Sequence, residues 1–186
     1  MKKVILLTTV MLFGASLAFG QAGVIGTYGD PGAADCNVVD AAPGLLSIFV
    51  VHTLSPGASA SQFRAQTPLC MSTTGAVYLS DTAVYAVTVG NSQTGVAIGY
   101  GTCVASPNHV LTINYFASGS TPLCCAFVVD ADPNVPSGEV EVVDCANNLL
   151  IGAGRTNTVN GTPQNCDCNL IPVEESTWGQ VKSLYE

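Results

Sequence analysis

Positive charge is the scarcest property of this sequence. The 186 residues include 5 Lys and Arg against 13 Asp and Glu, and charged residues together make up 10% of the chain. Proteins that bind nucleic acid or anionic membrane surfaces need clustered Lys and Arg, so the charge balance argues against both classes of partner. A surface with so few charges must be covered by Ser, Thr, Asn and Gly, which is usual for secreted all-β domains.

Motifs for the common catalytic and nucleotide-binding sites are also missing. The sequence contains no G-x-S-x-G elbow, no H-E-x-x-H pair, no P-loop and no dinucleotide-binding glycine fingerprint. Its two histidines, His52 and His109, lie in β-type runs without a nearby nucleophile motif. No amphipathic helix separates the apolar runs, which argues against a parallel βαβ sheet. We therefore expect a protein that is not an enzyme, with a secreted hydrolase as the enzymatic alternative.

The sequence does have a secretory signal. Two lysines precede an apolar stretch, residues 4–13, that is too short to span a bilayer. Ala18 and Gly20 supply small residues for cleavage before Gln21, so residues 1–20 are predicted to be the signal peptide. Cleavage leaves three basic residues against 13 acidic ones, a net charge of −10, and no membrane span. The predicted location is extracellular or on the cell surface, with the periplasm as the alternative.

Eight cysteines follow the signal and would meet an oxidising compartment, in which disulfides form and persist. Eight cysteines allow 105 pairings, and the sequence does not choose among them. We predict that most or all of them are disulfide-bonded: Cys36, Cys70, Cys103, Cys124, Cys125, Cys145, Cys166 and Cys168.

Some pairings fit a sandwich better than others. Cys70 with Cys103 would close a loop around two strands, and Cys36 with Cys145 would tie the N-terminal segment to a late strand. Both pairs are kept as hypotheses.

The adjacent Cys124 and Cys125 point to opposite faces of one strand, so we expect them to have different partners. At least one of them is expected to reach Cys166 or Cys168 and fix the tail. The alternative for these four cysteines is a thiolate metal site, but secretion favours disulfides.

Short β-type runs, punctuated by Gly, Pro, Asn and Ser, dominate the mature chain. They predict an all-β protein with an antiparallel, Ig-like or jelly-roll β-sandwich over residues 45–165, after an N-terminal extension over residues 21–44. Eight or nine strands are expected, at residues 45–54, 59–66, 83–89, 96–101, 109–116, 123–129, 139–143, 148–151 and 156–159.

The tail, residues 166–186, differs in character and predicts a short C-terminal helix. Thr177 and Gln180 fit a capping box at its start. A helix this short does not persist alone in water, so it should dock either on its own sandwich or on a partner, and both alternatives stay open. Four residues form the expected docking face: Trp178, Val181, Leu184 and Tyr185.

One loop is a candidate cation site. Asp130, Asp132 and Asn134 place oxygen atoms at alternate positions, as a Ca²⁺ ligand set could. The simpler interpretation is an acidic turn between two strands, helped by Pro133 and Pro136. We therefore expect no cofactor, with Ca²⁺ as the alternative.

Carbohydrate binding would require aromatic platforms. Tyr78, Tyr85, Tyr100 and Tyr115 are the available tyrosines, and we predict that Tyr100 and Tyr115 lie on a face of the sandwich. These two residues are therefore the candidate sugar platform.

The stretch from His109 to Val159 resembles the second half of cohesin-like and related carbohydrate-binding-like β-sandwiches. A strand of the form V-L-T-I-x-Y-F leads through a Gly/Ser turn to P-L-x-x-x-x-V, and an acidic loop and S-G-E-V-x-V-V-D follow. The strand at residues 45–54 and Phe63 suit the first half of the pattern. The ending S-T-W-G-Q-V-K-S-L-Y-E is similar to tails of secreted bacterial proteins. The resemblance implies an extracellular module of a secreted bacterial protein.

Taken together, these features predict a secreted, non-catalytic module that acts in adhesion, surface structure or protein assembly. The alternative is a carbohydrate-binding module. The expected partner is a protein or glycan at the cell surface, and self-association is a further alternative.

Overall fold

The computed structural model describes residues 22–162 together with Asn165 and Cys166. The predicted signal peptide, Cys168 and the predicted tail helix with Trp178, Val181, Leu184 and Tyr185 lie outside these residues. The described part contains one short helix, α1 (Leu69–Ser72), and twelve strands: β1 (Val24–Tyr28), β2 (Asn37–Val38), β3 (Pro43–Thr53), β4 (Ala58–Phe63), β5 (Val77–Ala83), β6 (Val87–Asn91), β7 (Gly95–Val104), β8 (Asn108–Ser118), β9 (Cys125–Val128), β10 (Val140–Asp144), β11 (Leu149–Gly154) and β12 (Thr156–Val159).

Nine strands form one sheet in the order β5-β8-β3-β1-β11-β10-β4-β7-β6, and three form a smaller sheet in the order β2-β12-β9. We call β5-β8-β3-β1 the first arm and β11-β10-β4-β7-β6 the second arm. The two arms meet at the parallel pair β1/β11. The pair β2/β12 is also parallel, so the predicted all-antiparallel sandwich is corrected to a mostly antiparallel one.

The two arms face each other across a shared core. His52 on β3 and Tyr100 on β7 belong to strands five places apart in the sheet, yet their ring centroids are 6.5 Å apart. The outer edges of the arms also meet, because Asp81 on β5 accepts hydrogen bonds from the backbone N–H and the hydroxyl of Ser92 after β6. These contacts across the sheet establish the predicted β-sandwich.

Strand β8 shows why this sequence forms such a core. Leu111, Ile113 and Tyr115 are fully buried, while the intervening residues through Phe116 face outward. This is the two-residue period of a strand with one wet face, and it agrees with the sequence. Opposite Val50 and Val51 on β3 the strand register shifts. Val110, the residue before Leu111, is therefore buried as well, and the alternation ends there.

The smaller sheet is joined to both arms. The ring of Phe127 on β9 lies 6.4 Å from that of Tyr115 on the first arm. The backbones of Arg64 and Asp130 exchange two hydrogen bonds, of 2.8 and 2.9 Å, that link the end of β9 to the end of β4. A side-chain amide on β12 is also hydrogen-bonded, from Asn157 to the carbonyl of Thr27 on β1.

Residues 22–44 were expected to form an extension outside the sandwich, but they are part of it. They contribute β1, which pairs with β3 on one side and β11 on the other, and β3 itself begins at Pro43. Strand β1 has only five residues, and Gly26 at its centre interrupts the branched residues Val24, Ile25 and Thr27, so the pattern was too short to predict a strand.

The single strand predicted at residues 83–89 is also wrong. The structure ends β5 at Ala83 and begins β6 at Val87, and the three residues between them carry the chain from the first arm to the second. Tyr85 in this crossing packs on Tyr100 and donates a 2.6 Å hydrogen bond to Asn108. The crossing is apolar because it closes the core, and this made it resemble a strand. Strand β5 and helix α1 were not predicted.

Three disulfides join Cys70 to Cys125, Cys103 to Cys145 and Cys124 to Cys166. Cys36 is disulfide-bonded as well. The hypotheses Cys70–Cys103 and Cys36–Cys145 are therefore wrong.

The adjacent cysteines Cys124 and Cys125 do have different partners, and Cys124 reaches Cys166. A thiolate metal site does not form from these two residues, since both sulfur atoms are bonded to sulfur. No helix in the described part of the chain has both the length and the apolar character needed to cross a bilayer.

The disulfides should be reduced in an order set by solvent access. The Cys103–Cys145 and Cys124–Cys166 disulfides are exposed, whereas Cys125 is 3% exposed. Exchange requires a thiolate to reach a sulfur atom, so limited reduction of the folded protein, followed by alkylation, should label the two exposed pairs first. Peptide mass mapping measures the order, and early labelling of Cys125 would contradict it.

Stability should fall as the solution becomes mildly acidic. His52 is 1% exposed and contacts the Ala22 carbonyl at 2.7 Å. Burial lowers its pKa, although the hydrogen bond to Ala22 opposes this. The unfolded chain therefore takes up the proton first, and stability is fully present above about pH 6.5 and declines below it.

Denaturant unfolding at about pH 7.5 and about pH 5.5 measures this loss. The loss should be smaller in His52→Gln. Burial also lowers the pKa of His109. His109→Gln is therefore the matched variant, and it measures how much of the stability loss comes from His109. Equal pH dependence in the wild type and both variants would rule out this explanation.

Candidate docking face

The outer surface of the second arm carries large aliphatic side chains that nothing in the described structure covers. Val87 and Val89 on β6 are 64% and 71% exposed, and Leu149 and Ile151 on β11 are 61% and 56% exposed. Each pair occupies alternate positions of its strand, so both members point to the same side. The inner side of these strands faces the core, which leaves the four side chains in solvent.

Strand register arranges this surface in two rows that cross all five strands. We call these ten residues the apolar face. The first row is Leu149, Val143, Ala60, Gly99 and Val87, and the second is Ile151, Glu141, Gln62, Ala97 and Val89.

The centre of the apolar face is a shallow depression of about 180 Å³. Small residues at Ala60, Ala97 and Gly99 form its floor, and the aliphatic side chains of β6 and β11 stand at its two ends. Strands are spaced about 4.8 Å apart, so the five strands make a surface about 19 Å across. The shape suits an elongated apolar segment lying across the strands.

One acidic side chain interrupts the apolar face. Glu141 lies in the second row between Ile151 and Gln62. Gln62 in turn donates a 2.8 Å hydrogen bond to Asp132, just beyond the rows. Burial would raise the pKa of Asp132, but the hydrogen bonds from Gln62 and Asn134 outweigh this and lower it. Asp132 is therefore a carboxylate at neutral pH, and the face has a negative end.

The candidate cation loop is engaged in contacts with the protein. Asp130 receives hydrogen bonds of 3.0 and 2.7 Å from the Arg64 guanidinium, and this charged contact raises the pKa of Arg64. Asp132 receives hydrogen bonds from Gln62 and from the backbone and side chain of Asn134. The loop therefore forms an acidic turn packed against β4. The described residues include no group of three or more His, Cys, Asp or Glu side chains suited to a metal ion.

Gly95 explains why this turn can lie so close to β7. Its φ is 123°, and a Cβ atom at this position would collide with the carboxylate of Asp132. A side chain here would therefore push the acidic turn away from the end of β7, and glycine is required.

The predicted sugar platform is wrong, because both tyrosines lie in the core. Tyr100 is 4% exposed and Tyr115 is fully buried. Burial raises the pKa of both phenols, that of Tyr115 to about 12. Their rings pack on other aromatic side chains, Tyr100 on Tyr85 and Tyr115 on Tyr78 and Phe127. A sugar ring has no access to either face of these phenols.

The histidines have structural contacts. His52 lies between the Ala22 carbonyl and Tyr100. His109 contacts the Leu111 carbonyl at 3.1 Å and the Thr112 hydroxyl at 2.9 Å. These are the contacts of histidines that stabilise strands.

The opposite outer surface, on the first arm, has a different character. Its centre is polar: Asn114 accepts a hydrogen bond from Ser47 and donates one to Thr82. A shorter apolar row lies at one end, where Leu45, Phe116 and Val77 are neighbours across three strands. The ten-residue apolar face is thus a property of the second arm.

Sequence reasoning missed the apolar face. The signal was present in Val87-Thr88-Val89 and in Leu149-Leu150-Ile151, because each segment places two large aliphatic residues at alternate positions, on the outward side of its strand. Without strand order, however, the two segments do not predict that they flank the same surface.

Comparisons with known proteins found no matching family model and no matching curated protein. Solved structures that resemble the chain are cohesin modules. The sixth cohesin of Acetivibrio cellulolyticus scaffoldin B, solved with a Cel5 dockerin, is 13% identical with a TM-score of 0.47, over 75% of this chain and 99% of that one.

A non-cellulosomal cohesin from Archaeoglobus fulgidus is 10% identical with a TM-score of 0.45, over 76% of this chain and 91% of that one. A cohesin module of a Clostridium perfringens family 33 glycoside hydrolase is 6% identical with a TM-score of 0.43, over 69% and 93%. The likeness concerns the β-sandwich, and at these values it assigns neither family membership nor function.

Removing the Tyr100 ring should destabilise the core. Tyr100→Ala would leave a cavity between β3 and β7, and truncating a buried aromatic residue costs about 3–5 kcal/mol of unfolding free energy. Phe116→Ala is the matched control. Because Phe116 is 50% exposed, this variant should lose far less unfolding free energy. Urea unfolding measures both, and equal losses would contradict the placement of Tyr100 in the core.

Proposed function

We propose that this protein is an extracellular, non-catalytic module that binds a partner protein through the apolar face. The observation that carries the proposal is the pair of aliphatic rims, on β6 and β11, on either side of a depression floored by small residues. Exposed apolar patches of this kind are characteristic of interaction sites. Disulfides that link the strands and turns are consistent with work outside the cell.

Fully burying one Val, Leu or Ile side chain contributes about 1.5–3 kcal/mol relative to leaving it in water. Val87, Val89, Leu149 and Ile151 each remain more than half exposed, so a partner that covers all four gains several such contributions. The polar centre of the first arm's outer surface offers no comparable gain.

The charge of the face defines the chemistry of the partner. Glu141 in the second row would be desolvated by a purely apolar partner, at a cost in free energy. A Lys or Arg among apolar side chains would instead pair with it. A second copy of this chain is disfavoured, because a symmetric contact would bring two Glu141 side chains into one interface.

We infer that the partner presents an apolar helical surface with a basic residue. A helix rises 1.5 Å per residue, so about 13 residues span the 19 Å of the five strands. Such a partner would be recognised by shape at the depression and by charge at Glu141. Adhesion, surface structure and protein assembly all use contacts of this kind, and we place this module among them. A sugar-binding role lacks its platform, since Tyr100 and Tyr115 are buried.

A photo-crosslinking amino acid placed at Val89 should capture the partner on the cells that produce the protein. The same amino acid at Phe116, on the opposite outer surface, is the control and should give no matching adduct. The adduct at position 89 should disappear in Leu149→Glu, which adds a charge to an exposed strand position. It should weaken in Glu141→Gln, with lower sensitivity to salt.

A third substitution distinguishes shape from charge. Gly99 has ordinary strand geometry, and a Cβ there meets its nearest atom, a Val87 methyl group, at 3.4 Å. The backbone should therefore accept a side chain at this position, and the methyl groups of Gly99→Val should fill the depression and abolish the adduct. Adducts of equal yield from positions 89 and 116, or unchanged capture by both Gly99→Val and Leu149→Glu, would refute the proposal.

A further inference from the structure

A cluster of polar side chains lies away from the apolar face, where β6 turns into β7. Thr67 follows β4, and Gln93 lies in the β6–β7 turn. The Thr67 hydroxyl donates a 2.7 Å hydrogen bond to Gln93 Oε1, and the Thr67 backbone N–H donates a 2.9 Å hydrogen bond to the same oxygen. A nucleophilic group and a side-chain carboxamide are thus held together.

The orientation of the carboxamide follows from its neighbours. A backbone N–H only donates, so the atom of Gln93 that faces Thr67 must be the oxygen. The nitrogen Nε2 then points the other way, to Ser92 Oγ at 2.9 Å and Tyr115 Oη at 3.5 Å. The Ser92 hydroxyl donates to Asp81 at 2.8 Å, which leaves its lone pairs for Nε2.

Tyr115 connects the two reacting groups. Its hydroxyl is 3.0 Å from Thr67 Oγ1 and 3.5 Å from Gln93 Nε2. The residue is fully buried, so its phenol is neutral and has one proton to give and a lone pair to receive another. It is placed to carry a proton from the hydroxyl to the nitrogen.

We propose that Thr67 and Gln93 become joined by an intramolecular ester bond. Thr67 Oγ1 attacks Gln93 Cδ, and the new C–O bond replaces the Cδ–Nε2 bond. The hydroxyl proton of Thr67, which points to Oε1 in the structure, turns to Tyr115 and passes to its oxygen while the phenolic proton passes to Nε2, and ammonia leaves. The reaction requires no oxidant, reductant or further reactant.

Each part of the cluster has a role in this step. The Thr67 N–H stabilises negative charge on Oε1 as the carbon becomes tetrahedral, as the donors of an oxyanion hole do. Holding the hydroxyl at the carboxamide replaces a bimolecular encounter with an intramolecular one. Ammonia escapes and is protonated in water, and this draws the reaction toward the ester although an amide is the more stable bond.

The cross-link would reinforce the edge of the second arm. It joins residues 26 positions apart and ties the end of β6, an edge strand that carries Val87 and Val89, to the segment between β4 and α1. Disulfides do not join these two segments in the described structure. The inference is independent of the partner that the apolar face binds.

Peptide mapping of the exported protein tests the proposal. After denaturation, reduction and alkylation, chymotrypsin cleaves at Tyr78 and Tyr85, which lie between the two residues. We expect a linked peptide that contains both Thr67 and Gln93 and weighs one ammonia less than the two separate peptides. Hydroxylamine, which cleaves esters, should divide it. Separate peptides of full mass in the wild type would overturn the proposal.

Variants distinguish this reaction from other losses of ammonia. Cleavage of the predicted signal would leave Gln21 at the N-terminus, where cyclisation also releases ammonia, so intact mass alone does not decide. Thr67→Val should lack the linked peptide, and Thr88→Val, a matched control on β6, should keep it. Tyr115→Phe keeps the ring and should slow formation. A linked peptide in Thr67→Val would overturn the assignment of the nucleophile, and if that variant does not fold, the wild-type map decides alone.

Discussion

The structure depends on the position of β1. This strand pairs in parallel with β11 and antiparallel with β3, so it joins the two arms into one nine-stranded sheet. The arms can then fold onto each other about this strand and enclose the core, which includes Ile25 from β1 itself. Without β1, β3 and β11 would each have an unpaired edge, and the two arms would be separate sheets with their apolar sides exposed.

The shared core imposes the same alternation on both arms but leaves their outer surfaces independent. On the first arm the outward positions near Asn114 carry a hydrogen-bonded polar network. On the second arm they carry the apolar face, with Glu141 as its acidic residue. The difference has no role in the stability of the core, because these side chains face away from it. A binding role for the outer surface of the second arm would explain this difference.

The sequence predicted the parts of the fold that local patterns determine. The strands predicted at residues 109–116 and 139–143 are confirmed by β8 and β10. The position of β1, the crossing at Tyr85 and the Cys103–Cys145 pair are set by contacts between segments distant in the chain, which one sequence does not reveal. The burial of Tyr100 and Tyr115 also required the register, since either face of an isolated strand accepts a tyrosine.

The central claim is the proposal that a partner protein covers the apolar face. Hydrogen–deuterium exchange of the protein free in solution, compared with the protein retained on its producing cells, tests this directly. The account predicts slower exchange for the amides of β6 and β11 in the retained protein and unchanged exchange around Asn114 on β8. Protection of the first arm alone, with β6 and β11 unchanged, would contradict it.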